Sequence, residues 1–215
     1  MRQSRLSRNR WQRAIGALAL VFVSGPIAAC ERRPQNGPDE YRGRVLPEPI
    51  EKFDFTLDDT EGQPFNFIEE TEGRVTLVFF GYTNCPDVCP IHMANIAAVM
   101  RDFPFDLKQQ FRVVFISTDP ERDTPERIRE WLDNFDPSFL GLRGSVEEVN
   151  DIAARMGVPP AQRVEVETGD YLVGHSASVI AFTRDDMAHL MYPFGTRQAD
   201  WAHDLPRLAT ETWDE

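Results

Sequence analysis

The chain has 215 residues, 41% of them hydrophobic, with 23 lysines and arginines against 35 aspartates and glutamates and a formal net charge of −12. That length suffices for one domain with a substantial core plus extra chain at one end. So acidic a balance argues against a partner that is nucleic acid or an anionic lipid surface.

Residues 1–13, MRQSRLSRNRWQR, carry five arginines and no acid. Residues 14–29, AIGALALVFVSGPIAA, are apolar but short, and are broken by Gly25 and Pro26. A basic start, an apolar middle and a small-residue end have the layout of a secretory signal, while a bilayer span needs about 20 apolar residues. An uncleaved membrane anchor is the competing reading. Ile27-Ala28-Ala29-Cys30 resembles a bacterial lipobox, although Leu is more usual where Ile27 stands. The resemblance implies that Cys30 becomes the lipidated first residue of the mature chain, held by acyl chains at roughly 0.8 kcal/mol per buried CH₂. Removing residues 1–29 leaves 18 basic and 35 acidic residues and a formal charge of −17. Residues 30–50 are polar with four prolines and are expected to be a flexible tether. The folded domain is expected over 51–215, in the oxidising envelope of a bacterial cell, on the periplasmic side.

FDFTLDD and GQPFNF predict a hairpin with Glu61-Gly62 in its turn. RVTLVFFGY (74–82) and FRVVFISTD (111–119) are near-continuous β-branched and aromatic runs, so fully buried strands. Between them IHMANIAAVMRDF has helical spacing, with Ile91, Ala94, Ala98 and Val99 on one side. Thr124 and Pro125 open a second helix. FLGLRG predicts a short strand. SVEEVNDIAARMG predicts a helix with a Ser145–Glu148 capping box and Gly157 at its end. YLVGHSASVIAFTRD contains another strand, HLMYPFG one that pairs with it, and ADWAHDLPRLATETW a last helix interrupted by Pro206. This alternation predicts an α/β domain with a central mixed sheet flanked by helices. Cysteines at the first strand-to-helix junction give it the order of a thioredoxin-like fold.

That junction reads GYTNCPDVCPIH, residues 81–92. Cys85 and Cys89, four apart, can share a helix face with Cβ atoms roughly 5–6 Å apart. A helix N-terminus favours their thiolates. The pair can cycle between dithiol and disulfide, hold a metal, or form a plain structural disulfide. The spacing is one residue longer than that of Cys-x-x-Cys redox pairs. Iron–sulfur clusters ask for four cysteines, and structural zinc for a second ligand pair that the chain lacks. Copper suits two thiolates and one imidazole. Of the four histidines, His92 follows Cys89 closely, His189 and His203 lie in polar segments, and His175 precedes the buried strand SVIAF. Position alone leaves His92 and His175 open as ligands, with surface roles as the alternative. A thiol peroxidase or copper-stress sensor is a further reading. Thr83 and Asn84 would supply polarity to it, but no arginine closely precedes the cysteines.

FGYTNCPDVCP, then STDPERDTPE, then a Tyr-x-Val-x-His-Ser segment, together resemble the Sco/SenC family of membrane-anchored copper-binding proteins for cytochrome c oxidase assembly. The resemblance covers most of residues 51–200. It implies copper, as Cu(I), Cu(II) or both, on Cys85, Cys89 and His175. Asp119 matches a family aspartate near the site, with loop capping as its alternative role. The implied partners are oxidase subunit two, or another extracytoplasmic copper acceptor, and a thiol reductant. Two functions follow: a metallochaperone, and a thiol–disulfide reductase acting on the oxidase copper-site cysteines.

Overall fold

The structure, a computed structural model, describes residues 40–166, 171–174 and 176–213. Cys30, the expected signal segment and His175 lie outside the described residues. Strand β4 (Val75–Gly81) is buried at every position and β5 (Phe111–Ser117) at all but one. Their apolar runs are continuous because both faces of the sheet are covered. Leu77 and Phe79 enter one layer with helices α2 (Val88–Arg101), α4 (Pro125–Asp133) and α6 (Gln198–Thr210). Val78 and Phe80 enter the other with α1 (Phe67–Thr71) and α5 (Val146–Arg155).

β4, β5 and β6 (Leu140–Arg143) are parallel. β9 (Val179–Phe182) runs antiparallel to β4, and β10 (Met187–Tyr192) antiparallel to β9. β1 (Arg44–Glu51) closes one edge; β2 (Thr56–Asp59) and β3 (Pro64–Asn66) close the other. The sheet order is β1-β10-β9-β4-β5-β6-β2-β3. β7 (Gln162–Glu165) and β8 (Tyr171–Gly174) pair as a separate ribbon. The expected mixed sheet with flanking helices is therefore what forms.

Four expectations need correction. Residues 44–50, read as tether, belong to β1, which pairs with β10. An edge strand needs ladder bonds on one side only, so Pro47 and Pro49 fit where the register shifts between Val45 and Ile50. The chain enters β1 through the buried Asp204 carboxylate, which accepts from the Arg42 and Gly43 backbone N–H groups and from the Tyr192 hydroxyl. Second, the buried face of α2 carries Cys89, Met93, Ile96, Ala97 and Met100, whereas Ile91 is 40% exposed. Third, α6 continues through Pro206, because Trp201, Leu205, Leu208 and Ala209 on both sides of it are buried together. Fourth, the YLVGHSASVIAF stretch forms two strands, β8 and β9. Among the described residues no helix is long and apolar enough to cross a membrane.

Candidate functional site

β4 ends at Gly81, and the chain turns through Tyr82–Asp87 into α2. The Cys85 backbone N–H donates to the Tyr82 carbonyl at 3.1 Å, closing the turn. α2 begins at Val88, so Cys89 lies in its first turn. The N-cap residue Asp87 makes no side-chain cap bond. The Cys85 sulfur takes that place and accepts from the Cys89 N–H at 3.4 Å. Cys89 is completely buried and Cys85 is 9% exposed. No disulfide joins the two, and their side chains are in hydrogen-bond contact.

Burial pushes the Cys89 thiol well above its ordinary range, and the neighbouring Cys85 adds to this. The Tyr82 backbone opposes it without prevailing. The expected lowering by the helix N-terminus is thus outweighed at Cys89: a sulfur with no access to water stays protonated until something displaces the proton. Gly81 makes room for it. A Cβ at Gly81 would come within 2.9 Å of the Cys89 sulfur.

The end of β5 is bonded to the end of β4, with the Thr118 N–H donating to the Gly81 carbonyl at 2.7 Å. The DPERDTP segment therefore starts at the same end of the sheet as the cysteines. Its second aspartate, Asp123, is buried and accepts from the Thr83 backbone, the Thr83 hydroxyl (2.6 Å) and the Ser117 hydroxyl (2.7 Å). Burial raises its pKa, and those donors offset only part of the rise. Asp123 thus holds the residue two before Cys85. The sequence reading passed it over, although its place four residues after Asp119 in one motif was the available signal.

Asp119 is buried too. One oxygen accepts from Arg122 Nε at 2.5 Å, the other from the Tyr171 hydroxyl at 2.8 Å. Arg122 also donates to the Tyr171 carbonyl at 3.0 Å and lies over its ring at 3.6 Å; Arg163 lies over the same ring at 3.7 Å. Burial and donation to Asp119 push the Tyr171 hydroxyl up to about 12. Asp119 thereby fastens β8, whose last residue Gly174 immediately precedes His175. The Val173 backbone of β8 also hydrogen-bonds the Tyr82 hydroxyl in the cysteine turn.

His92, a ligand candidate from sequence, is buried and faces Ala177. His189 pairs with Asp185 at 2.7 Å and His203 with Asp204 at 2.6 Å. Arg127 of α4 reaches Thr83 at 2.8 Å and also bonds Asn84. It is a basic group beside the cysteine turn that sequence order hid, because it follows the turn by some 40 residues. Among the described residues no three His, Cys, Asp or Glu side chains form a metal-holding group. Two thiols in contact supply two soft donors, which fits a soft ion lacking one further ligand.

The sequence model of the SCO1/SenC family matches residues 46–210. A putative copper-binding protein of Stutzerimonas stutzeri is 33% identical over 138 residues, 64% of this chain and 64% of that protein. The mitochondrial protein SCO1 homolog 1 of Arabidopsis thaliana is 37% identical over 124 residues, 54% of this chain and 37% of that protein. The chain thus spans less than two thirds of the length of either. Copper-bound ScoI of Bradyrhizobium japonicum superposes with a TM-score of 0.64 at 34% identity, covering 73% of this chain and 98% of that one. Apo Sco1 of Thermus thermophilus gives 0.68 at 33% identity, covering 79% and 97%. The described fold is thioredoxin-like, and the family match runs from β1 to the end of α6: this chain belongs to the SCO1/SenC family.

Proposed function

We propose that this protein is a copper metallochaperone, tethered to the envelope membrane through lipid on Cys30, that takes up copper on Cys85, Cys89 and His175. It passes the metal to an extracytoplasmic acceptor, foremost the dinuclear copper site of cytochrome c oxidase subunit two. The observation that carries this reading is the contact of the Cys85 and Cys89 side chains at the strand-to-helix junction, on a chain whose relatives include a copper-bound one. Copper is cargo here. Uptake displaces the thiol protons, and release proceeds by exchange of the chain's thiolates for those of the acceptor. The pair must first be reduced, because a disulfide offers no thiolate. A thiol reductant supplies the two electrons and two protons and leaves as its own disulfide. Residues 1–29 act as the signal, and a short tether ends where β1 begins.

The same contact supports a second reading. The dithiol can reduce the acceptor's cysteine pair, giving up two electrons and two protons and closing a Cys85–Cys89 disulfide. Metal analysis and Cu(I) titration of reduced wild-type, Cys85→Ser and His175→Ala proteins separate the two. The carrier reading expects one copper per chain in the wild type, loss in Cys85→Ser and at least tenfold weaker retention in His175→Ala; a pure reductase expects His175→Ala to leave reduction of a model disulfide intact. Unchanged stoichiometry and affinity in Cys85→Ser removes the carrier reading.

A further inference from the structure

His92 stands three residues after Cys89, on the inner face of α2, and only 1% of it is exposed. Its Nε2 lies 3.0 Å from the carbonyl oxygen of Ala177. A carbonyl only accepts, so Nε2 carries the hydrogen and donates it. The ring is walled by Phe79, Phe194 and Trp201, with centroids at 5.3, 6.3 and 6.3 Å. Those walls leave the imidazole little freedom to turn. A side chain that resembles a metal ligand by its spacing from Cys89 is instead bonded to backbone two residues after His175. The helix that carries Cys89 and the segment 176–178 are thus joined through one rigid group. On the other side of position 175, Tyr171 is held by Asp119 and Arg122.

We propose that His92 is a positioning residue for the metal site: its bond to Ala177 fastens residues 176–178, which follow the third-ligand candidate in the chain, to the helix that carries Cys89. The inference rests on the reading of His175 as the third ligand. It assigns His92 to the chain segment that follows the third donor, not to the two sulfurs.

The test uses the full chain in detergent, with His92→Leu, which cannot donate, and His92→Gln, whose amide can. Three readouts are compared: amide hydrogen exchange over residues 171–180 in metal-free protein, Cu(I) affinity against a chromophoric chelator, and the Cu(II) electron paramagnetic resonance spectrum. Loss of one buried hydrogen bond should speed exchange in this segment about fivefold in His92→Leu. Affinity should fall by about tenfold, an expectation scaled to changes around metal ligands. The spectrum should shift at unchanged stoichiometry, and His92→Gln should restore most of all three. Unchanged exchange in His92→Leu overturns the proposal. So does faster exchange with an unchanged copper spectrum, which leaves His92 only structural. So does loss of one-to-one binding in both variants, which makes it a ligand. Should His92→Leu fail to fold, His92→Asn, whose amide is too short to reach the carbonyl, takes its place. Wild-type protein that takes up no copper overturns the carrier reading instead, and the exchange readout in metal-free protein still decides whether His92 holds the segment.

Discussion

The space beside Gly81 is filled by the Cys89 sulfur, which lies where a side chain would begin. A Cβ there would meet that sulfur, Phe115 and Phe79, each at 2.9 Å, and two of the three are rigid rings. Gly81→Ala should therefore cost about 1–3 kcal/mol in urea unfolding through overpacking. It should also weaken copper uptake, because the thiol is the neighbour freest to move; unaltered affinity in a destabilised variant would show that the sulfur need not stay in place. A second pair of variants tests the fastening of β8. Tyr171→Phe removes one hydrogen bond to Asp119 and should cost about 1 kcal/mol. Arg122→Ala leaves the buried Asp119 without its cation and removes the group stacked on Tyr171, so it should cost about 3 kcal/mol. Equal losses in the two would mean that the carboxylate is satisfied by other donors. Both measurements are urea midpoints on reduced, metal-free protein.

At the scale of elements, α5 shows what local chemistry can fix. Ser145 accepts from the Glu148 N–H at 3.2 Å, and the Glu148 carboxylate accepts from the Ser145 N–H at 2.9 Å. Ser145→Ala removes the hydroxyl that accepts from the Glu148 N–H, while the backbone N–H that donates to the Glu148 carboxylate remains, and it should cost about 1 kcal/mol, read as a lower thermal midpoint; a loss below a few tenths would mean that water caps the helix equally well. That box, the two buried strands and the helix opened by Thr124 and Pro125 were legible because each signal lies within a few consecutive residues. β1 was not legible: its prolines are tolerated only by virtue of its edge position against β10, a contact some 140 residues away in the chain. β7 was hidden for a related reason. All four of its residues are exposed, so no alternation of apolar and polar positions marks it. The inner face of α2 was misread because the helix is apolar nearly all round, and the sheet beneath it, not its own pattern, selects Met93, Ile96 and Met100. At the site, the cysteines announced themselves by spacing. Asp123 and Arg122 did not, and His92 stood out only as a ligand candidate, since each acts through a partner that the chain reaches only after folding.

Across the whole molecule, acids outnumber bases by 12, and how the domain responds to pH depends on which carboxylates the fold favours as anions. Burial alone would raise Asp136, but hydrogen bonds from Lys108 and Ser138 outweigh it and hold the group below the ordinary carboxylate range. Asp185 is likewise held low, with burial outweighed by the Thr183 hydroxyl and His189. Groups with depressed values stabilise the fold above about pH 4, the ordinary carboxylate value, and that contribution is lost as the pH falls through their lower folded values. Asp123 has the opposite sign. Burial raises it despite its three donors, so its contribution is full below about pH 4 and is lost as the pH rises through its folded value. Mild acidification also relieves the self-repulsion of an acidic surface. The two signs together predict a stability maximum on the acidic side of neutrality, above the ordinary carboxylate value of about pH 4, and a steep fall below it. Urea midpoints of reduced, metal-free protein at unit intervals from pH 3 to 8 measure this curve. A steady decline from pH 8 downwards would mean that Asp123 is not raised. In that case its bonds to Thr83 and Ser117, which fix the turn ahead of Cys85, would hold an anion at no cost, and the curve of Asp123→Asn would then lie below that of the wild type at every pH above 5.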